Sequence, residues 1–439
     1  MKTNALKGMK DILPAEQKLR DYVQGKILET YRASGFERIS TPMLEDAENL
    51  DKSEGGDNLN LIFKVLKRGE KLDSVLGNVS VDQKALSDMG LRYDLTLPLT
   101  RFYAANRDKL QFPFKVIQTD RVFRAERPQK GRNREFVQCD IDILGDSSCN
   151  AEVELIDVTA RALLNIGFMK TFADYLTITI NDRRILKNML ETMGFEPQTI
   201  DSVCVTFDKL DKIGSHGIEA ELKEKNFPAQ AIKTLIDFCN DTIFSLRDNN
   251  RYDYHFELER VLDFCSDRSI GDDLKYIIDT VKNISQERYR IDYSPTLVRG
   301  QGYYTGVVFE IKCTSPFFEG AVGGGGRYDN LIGKFIGQNI PAVGFSIGFE
   351  RICSLLLDLH FQIPEQKQKH KCVLLYDDSV SFEQVVIDAE TLRNEEDIAS
   401  VTILKKAKKP GPQYAMLEDK KYTKFATYKD GKLFIKTVE

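Results

Sequence analysis

Short stretches of this chain concentrate the residue types that hold or move charge. One runs through Arg124, Glu126, Gln138 and Asp142. Over Glu135 to Ile143, strand alternation puts Phe136, Gln138, Asp140 and Asp142 on one face and Val137, Cys139, Ile141 and Ile143 on the other. An antiparallel strand with one wet face accounts for that pattern by itself. A second strand-like run, Lys115 to Glu126, sets Val122, Arg124 and Glu126 on a shared face, and Arg127-Pro128-Gln129-Lys130-Gly131-Arg132-Asn133-Arg134 joins the two as a cationic hairpin loop. Together they predict a floor with an anionic and a cationic part, suited to an amino acid bound beside a nucleotide.

Asp94 and Thr96 form a second cluster, just before a helix-like segment, where an N-cap is the alternative reading. In Arg299-Gly300-Gln301-Gly302-Tyr303-Tyr304, glycines let the backbone approach something closely while an arginine and two tyrosines surround the gap; a bulged strand entry is the alternative. A regular strand would send the adjacent tyrosines to opposite faces, which ranks Tyr304 ahead of Tyr303. Gly323-Gly324-Gly325-Gly326-Arg327-Tyr328-Asp329 is neither a Walker loop nor a dinucleotide fingerprint.

The elements that must position these residues come from 439 residues, 42% of them hydrophobic, enough for roughly three domains. Pro14, followed by Leu19, Tyr22, Val23, Ile27, Leu28 and Tyr31 at helical spacing, predicts a long first helix, with a strand from Phe36 to Thr41 running into Pro42. Ser53 to Ser87 reads as an irregular excursion. Ala151 to Ile166 predicts a helix and Leu176 to Ile180 a strand; Asp182 to about Tyr289 reads as an inserted helical domain. Strands resume at Thr305 to Cys313 and at Ala342 to Ser346. Past a polar linker near Pro364 to Lys371, the pattern is strand, helix, strand, a lysine-rich turn and two short strands.

Composition excludes several classes. Lys and Arg number 62 against 67 Asp and Glu, a net charge of −5, so nucleic acid can be held only by a local patch. The four histidines are scattered and none of the eight cysteines forms a Cys-x-x-Cys pair, which leaves no protein metal cage and no zinc or redox centre. Cys139, Cys265 and Cys353 read as small buried hydrophobes. No signal-like segment and no run of about 18 apolar residues appears, so the expectation is a cytoplasmic protein without membrane contact.

The order and wording of these stretches resemble one family. Phe123 to Phe136 looks like motif 2 of the class II aminoacyl-tRNA synthetases, Ala342-Val343-Gly344-Phe345-Ser346-Ile347-Gly348-Phe349-Glu350-Arg351 looks like motif 3, and the first helix with the strand ending at Pro42 resembles motif 1. Arg299 to Tyr304, Asp94 to Thr96 and Val203 to Lys212 resemble segments of the histidyl-tRNA synthetase family, a likeness extending over residues 7 to 358.

That resemblance implies an α+β fold: a class II antiparallel sheet flanked by helices, a helical insertion and a small α/β C-terminal domain. The implied domains are 1–180 and 291–363 for catalysis, 181–290 for the insertion, and 371–439 for a shortened anticodon-binding-like domain. It implies activation of histidine with ATP and Mg2+, without a prosthetic group, transfer to the 3′ end of histidine tRNA, and a homodimer. Arg299 and Arg124 would be catalytic. Histidine would meet Asp94, Thr96, Arg124, Gln138, Asp142, Arg299, Tyr303 and Tyr304; ATP would meet Arg124, Glu126 and Arg351; the tRNA acceptor end would meet Arg127, Gln129 and Arg134. Two departures stand out. Gly302 occupies a place where many members carry an acid, and the C-terminal region is short, although Lys405, Lys406, Lys408, Lys409, Lys420, Lys421 and Lys424 keep it locally basic. The alternative is the regulatory subunit of ATP phosphoribosyltransferase, a synthetase-like histidine sensor, against which the retained Arg124, Glu126, Arg299 and Arg351 argue. A synthetase with an eroded anticodon domain lies between the two.

Overall fold

The computed structural model describes residues 3–53, 61–77, 83–128, 133–167, 176–247, 254–299, 303–315, 318–364 and 370–438. They divide into two compact units, Met1–Phe361 and Gln362–Glu439. Among the described residues the first unit is built on an eight-stranded sheet, ordered Glu37–Arg38, Phe114–Phe123, Glu135–Leu144, Ala342–Ile347, Phe318–Arg327, Val307–Ser315, Thr177–Asp182, Arg290–Tyr293. The two outermost pairs are parallel and every pairing between them is antiparallel. The sheet is therefore mixed at its edges and antiparallel through the centre, where Gln138 and Asp142 lie.

One face of the Glu135–Leu144 strand carries Cys139, Ile141 and Ile143, each at most 1% exposed. The helices Pro14–Ala33, Asn150–Asn165 and Phe349–Asp358 pack on that strand. The first helix follows its sequence pattern: proline opens it, and Leu19, Val23, Ile27, Leu28 and Tyr31 are buried. The predicted strand beside it shortens to Glu37–Arg38. Within the excursion, Leu44–Asp46, Lys64–Leu66 and Ser87–Leu91 form a small three-stranded sheet. Arg92, at its end, is wholly buried. It donates to the carbonyls of Thr41 and Arg121, each at 2.7 Å, and pairs with Asp120 at 2.9 Å, which pins the Asp94 segment to the large sheet.

Between Thr177–Asp182 and Arg290–Tyr293 the chain forms helices alone among the described residues, from Arg183–Thr192 to Ile270–Ser285. Both flanking strands then pair in parallel, so the helical segment leaves the sheet and returns to its edge.

The second unit is a four-stranded sheet ordered Ile398–Lys405, His370–Tyr376, Lys424–Lys429, Lys432–Thr437. Helix Phe382–Arg393 covers one face through Val385, Ala389 and Leu392, and Leu417 and Tyr414 of Pro410–Asp419 cover the other. That second helix replaces the predicted lysine-rich turn. Pro410 and Pro412 argue against a helix only in its interior; at the first turn their missing N–H groups cost nothing.

Candidate active site

The expected hairpin forms, and its register sets Phe123 opposite Glu135. Past its end the Arg124 N–H donates to the Arg134 carbonyl at 2.8 Å, extending the pairing to the neck of the loop. Arg124 Nε donates to the Tyr93 carbonyl at 3.2 Å, and the guanidinium lies 4.2 Å from the Tyr93 ring centroid and 5.1 Å from that of Phe136. Stacking on two rings fixes the plane of the cation, as an anion-binding arginine requires.

Phe136, Gln138, Asp140 and Asp142 line one cleft together with Asp94, Thr96, Arg124, Glu126, Arg299, Tyr303, Tyr304 and Arg351. The wet-face alternative fails here, because Asp140 and Asp142 are only 5% and 4% exposed. Burial, the Tyr328 hydroxyl and nearby Asp94 set Asp142: burial raises its carboxyl most, Tyr328 opposes, and it titrates at about 7. Tyr328 donates to Asp142 Oδ1 at 2.5 Å. Burial also raises Asp94, and it lifts Asp140 well above the usual carboxylate range, with the Asp142 charge adding to it. Asp94 accepts from the Leu97 N–H at 3.1 Å, so the capping role read from the sequence is present alongside the place in the cleft. Gln138 Nε2 donates to Ser346 Oγ at 3.0 Å, while its buried Oε1 meets no donor. A cluster of buried carboxylates beside an unmatched amide oxygen is a receptor for a cationic ligand carrying N–H donors.

The other wall carries Arg299. Its Nη1 stands 3.5 Å from Glu310, and burial lowers its pKa, but Tyr304 and Glu310 outweigh burial and hold the guanidinium charged. Gly324 makes that place possible: a Cβ there would stand 2.4 Å from Arg299 Nη1. Gly344 does the same for the facing acid, since its Cβ would fall 1.9 Å from Asp142 Oδ1. Glycines on two adjacent strands, Gly324 and Gly344, thus each leave room for one charged side chain.

The expectation that the adjacent tyrosines point to opposite faces is overturned. Their ring centroids are 4.7 Å apart and both line the cleft. The strand begins only at Val307, so residues 303–306 follow no alternation.

Arg351 lines the cleft and donates from Nη1 to the Ala321 carbonyl. Its neighbour Glu350 is held by Arg20 of the first helix in a two-pronged pair at 2.6 and 2.7 Å, and also accepts from the Val137 N–H at 3.2 Å. The first helix, the strand that follows the cationic loop and the motif 3 segment thus meet on one carboxylate. Arg20→Ala is expected to destabilise the fold by about 3–5 kcal/mol, because it strands a mostly buried charge. Denaturant unfolding checks this, and an unchanged midpoint would show that the pair contributes no stability.

Arg127 is exposed outside the cleft wall, Arg134 is half-buried at the loop neck, and Gln129 and Gly302 lie outside the described residues. Among the described residues no group of three or more His, Cys, Asp or Glu is arranged to hold a metal ion, and no helix is long and apolar enough to cross a membrane.

A family model described as histidyl-tRNA synthetase matches residues 8–352. The chain belongs to the histidyl-tRNA synthetase family. It is 42% identical over 372 residues to the histidine–tRNA ligase of Leifsonia xyli subsp. xyli, covering 84% of this chain and 83% of that protein. It is 35% identical over 361 residues to the histidine–tRNA ligase of Christiangramia forsetii, covering 80% and 76%. The fold resembles the histidyl-tRNA synthetase of Nostoc sp. PCC 7120, with a TM-score of 0.75 at 23% identity over 100% of this chain and 97% of that one. A Bacillus halodurans protein described as an ATP phosphoribosyltransferase regulatory subunit/histidyl-tRNA synthetase shares the fold at a TM-score of 0.72 and 20% identity, over 97% of each chain.

For this member of the histidyl-tRNA synthetase family, residue-by-residue reading did not select Tyr328, Ser346 or Asp140 as site residues. Asp140 carried a signal, since alternation put it on the same face as Gln138 and Asp142. Tyr328 and Ser346 stood inside quoted motifs, but only the pairing of the Ala342–Ile347 strand with its two neighbours brings them to the floor.

Proposed function

We propose that this cleft joins histidine to ATP and passes the activated amino acid to histidine tRNA, making the chain a histidine–tRNA ligase. The observation that carries the reading is that Arg124, Arg299 and Arg351 line the same cleft as Asp94, Gln138 and Asp142. The histidine carboxylate oxygen bonds to the α-phosphorus of ATP while the bond to pyrophosphate breaks. Two anions are brought together in that step, so fixed guanidinium groups lower the barrier where negative charge gathers. Mg2+ arriving with ATP supplies further neutralisation. The terminal ribose hydroxyl of tRNA then attacks the acyl carbon and releases AMP.

In this reading Arg299 and Arg124 are catalytic and Arg351 and Glu126 hold ATP. Asp94, Thr96 and Gln138 receive the α-ammonium group. Asp142, with Tyr304 and Tyr303, reads the imidazole, because burial makes an analogue without ring N–H groups leave the acid unmatched. Arg127, Gln129 and Arg134 serve the acceptor end. Residues 1–180 and 291–363 act as the catalytic domain, 181–290 as the insertion and 371–439 as an anticodon-binding-like domain, in a cytoplasmic homodimer. Met43, Leu44, Leu66 and Leu76 support the dimer: each is 42–57% exposed, and Leu44 and Leu66 lie on the small sheet next to motif 1.

Histidine-dependent exchange of pyrophosphate into ATP, followed by charging of histidine tRNA, tests the reading. Histidine binding without exchange would instead mark a sensor. Gln129→Ala is expected to slow charging and leave exchange nearly intact; equal loss in both steps would remove Gln129 from the acceptor site.

A further inference from the structure

The segment before the first helix is not a loose end. Lys7 and Gly8 cross the neck of the cationic loop, and the Gly8 carbonyl accepts from the Arg134 N–H at 2.7 Å. The Lys7 carbonyl accepts from Arg134 Nη1 at 3.4 Å, while Arg134 Nε donates to the Glu126 carbonyl at 3.1 Å. Arg134 is thereby tied to both the N-terminal segment and the opposite stem of its own loop. Gly8 has φ +86°, and a Cβ on it would stand 2.7 Å from Pro128 Cγ and 2.9 Å from Arg134 Cγ. One glycine thus touches the incoming stem through Pro128 and the outgoing stem through Arg134. Both its left-handed backbone and the missing side chain are needed.

We propose that Lys7–Gly8 is a latch on the two stems of the cationic loop, and that it governs transfer of histidine to tRNA rather than activation of histidine. This rests on the reading above, in which the loop receives the acceptor end. The latch touches the loop at Pro128 and Arg134, and neither residue lines the cleft where ATP and histidine would meet. Arg134 meets Arg124 and Glu126 through their main-chain groups, whereas the Arg124 guanidinium is held by Tyr93 and Phe136, so loosening the latch changes how the loop presents its cations more than how Arg124 is aimed. A displacement of about 1 Å in a positioned group is enough to cost roughly a hundred-fold in rate.

Gly8→Ala in the full-length protein is the test. Charging of histidine tRNA should fall by about ten- to a hundred-fold with pyrophosphate exchange unchanged. Trypsin should cut faster after Lys130 and Arg132 while other sites keep their rates. Should Gly8→Ala fail to fold, Pro128→Ala reads the same contact by removing the packed ring, with cleavage scored after Lys130 and Arg132 only, because the substitution opens the bond after Arg127 to trypsin. Normal charging by both variants, or unchanged cleavage in the loop, overturns the latch. An equal fall in exchange and charging overturns it as well, because the segment would then support the whole cleft. Absence of charging by the unaltered protein would sink the reading of the cleft and the transfer half of the proposal with it, whereas the cleavage pattern judges the latch by itself.

Discussion

Arg299→Ala is expected to lower histidine-dependent pyrophosphate exchange by about 10²–10³-fold while weakening histidine binding by only about ten-fold. The difference follows from where charge develops. Histidine already carries its carboxylate in the ground state, so its contact with Arg299 contributes to binding and to the reaction alike. The α-phosphate gathers its extra charge only as the new bond forms, and a guanidinium placed against it acts mainly then. The surroundings suit this role, since Tyr304 and Glu310 keep Arg299 charged despite burial, and Gly324 lets it lie against the strand. Single-turnover adenylate formation measured beside equilibrium histidine binding separates the two effects. Equal losses would reduce Arg299 to a binding residue.

Asp142→Asn is expected to raise KM for histidine by about 100-fold or more, with KM for ATP nearly unchanged. The same substitution yields a pH signature. The Asp142 carboxyl is pushed up to about 7, so it is neutral below that pH and becomes an acceptor for an imidazole N–H above it. KM for histidine should therefore fall between pH 6 and pH 8 more steeply in the unaltered protein than in the Asn variant. Substrate imidazole titrates near 6.5 in both, so the difference between the profiles isolates the side chain. Stability moves the other way. A raised carboxyl pKa means that ionisation is disfavoured in the folded state, so Asp142 costs stability above pH 7 and Asn removes that cost. The melting temperature at pH 8 should be equal or higher in the variant. Parallel pH profiles would show that Asp142 does not read the ring.

Much of this cleft could be seen beforehand because short-range regularities place it. Alternation over ten residues of strand put Gln138, Asp140 and Asp142 on one face, and a proline–glycine loop announced the hairpin. The helical segment was also legible from its period of three to four residues, whereas the antiparallel sheet was an expectation from the family resemblance. What escaped depends on contacts between distant segments. Burial of the acidic face depends on segments far apart in sequence, with Ser346 of the neighbouring strand, Tyr328 and Asp94 gathered around Gln138 and Asp142, which one strand's pattern cannot state. The tyrosine pair was misplaced because alternation was applied to residues outside the strand. Helix Pro410–Asp419 was missed because the stretch after the third strand was read only for its lysines, while a proline at a first turn is compatible with a helix start.

The sheet register carries a further consequence for how the proposed histidine pocket is put together. Asp182 is the cross-strand partner of Val307, and the Arg183 N–H reaches the Gly306 carbonyl at 3.0 Å. A turn of hairpin length could therefore join those two strands directly and keep the antiparallel run unbroken. Everything between, helices and edge strand alike, is an excursion that begins and ends at one corner of the scaffold, and Arg299, Tyr303 and Tyr304 lie on its homeward limb. Arg124 and Arg351, the arginines proposed for ATP, lie outside it, as does Asp142. The architecture thus divides the proposed histidine pocket between a chassis that carries Asp142 with Arg124 and Arg351 and a cassette that carries Arg299 with Tyr303 and Tyr304, so neither part alone would choose the amino acid.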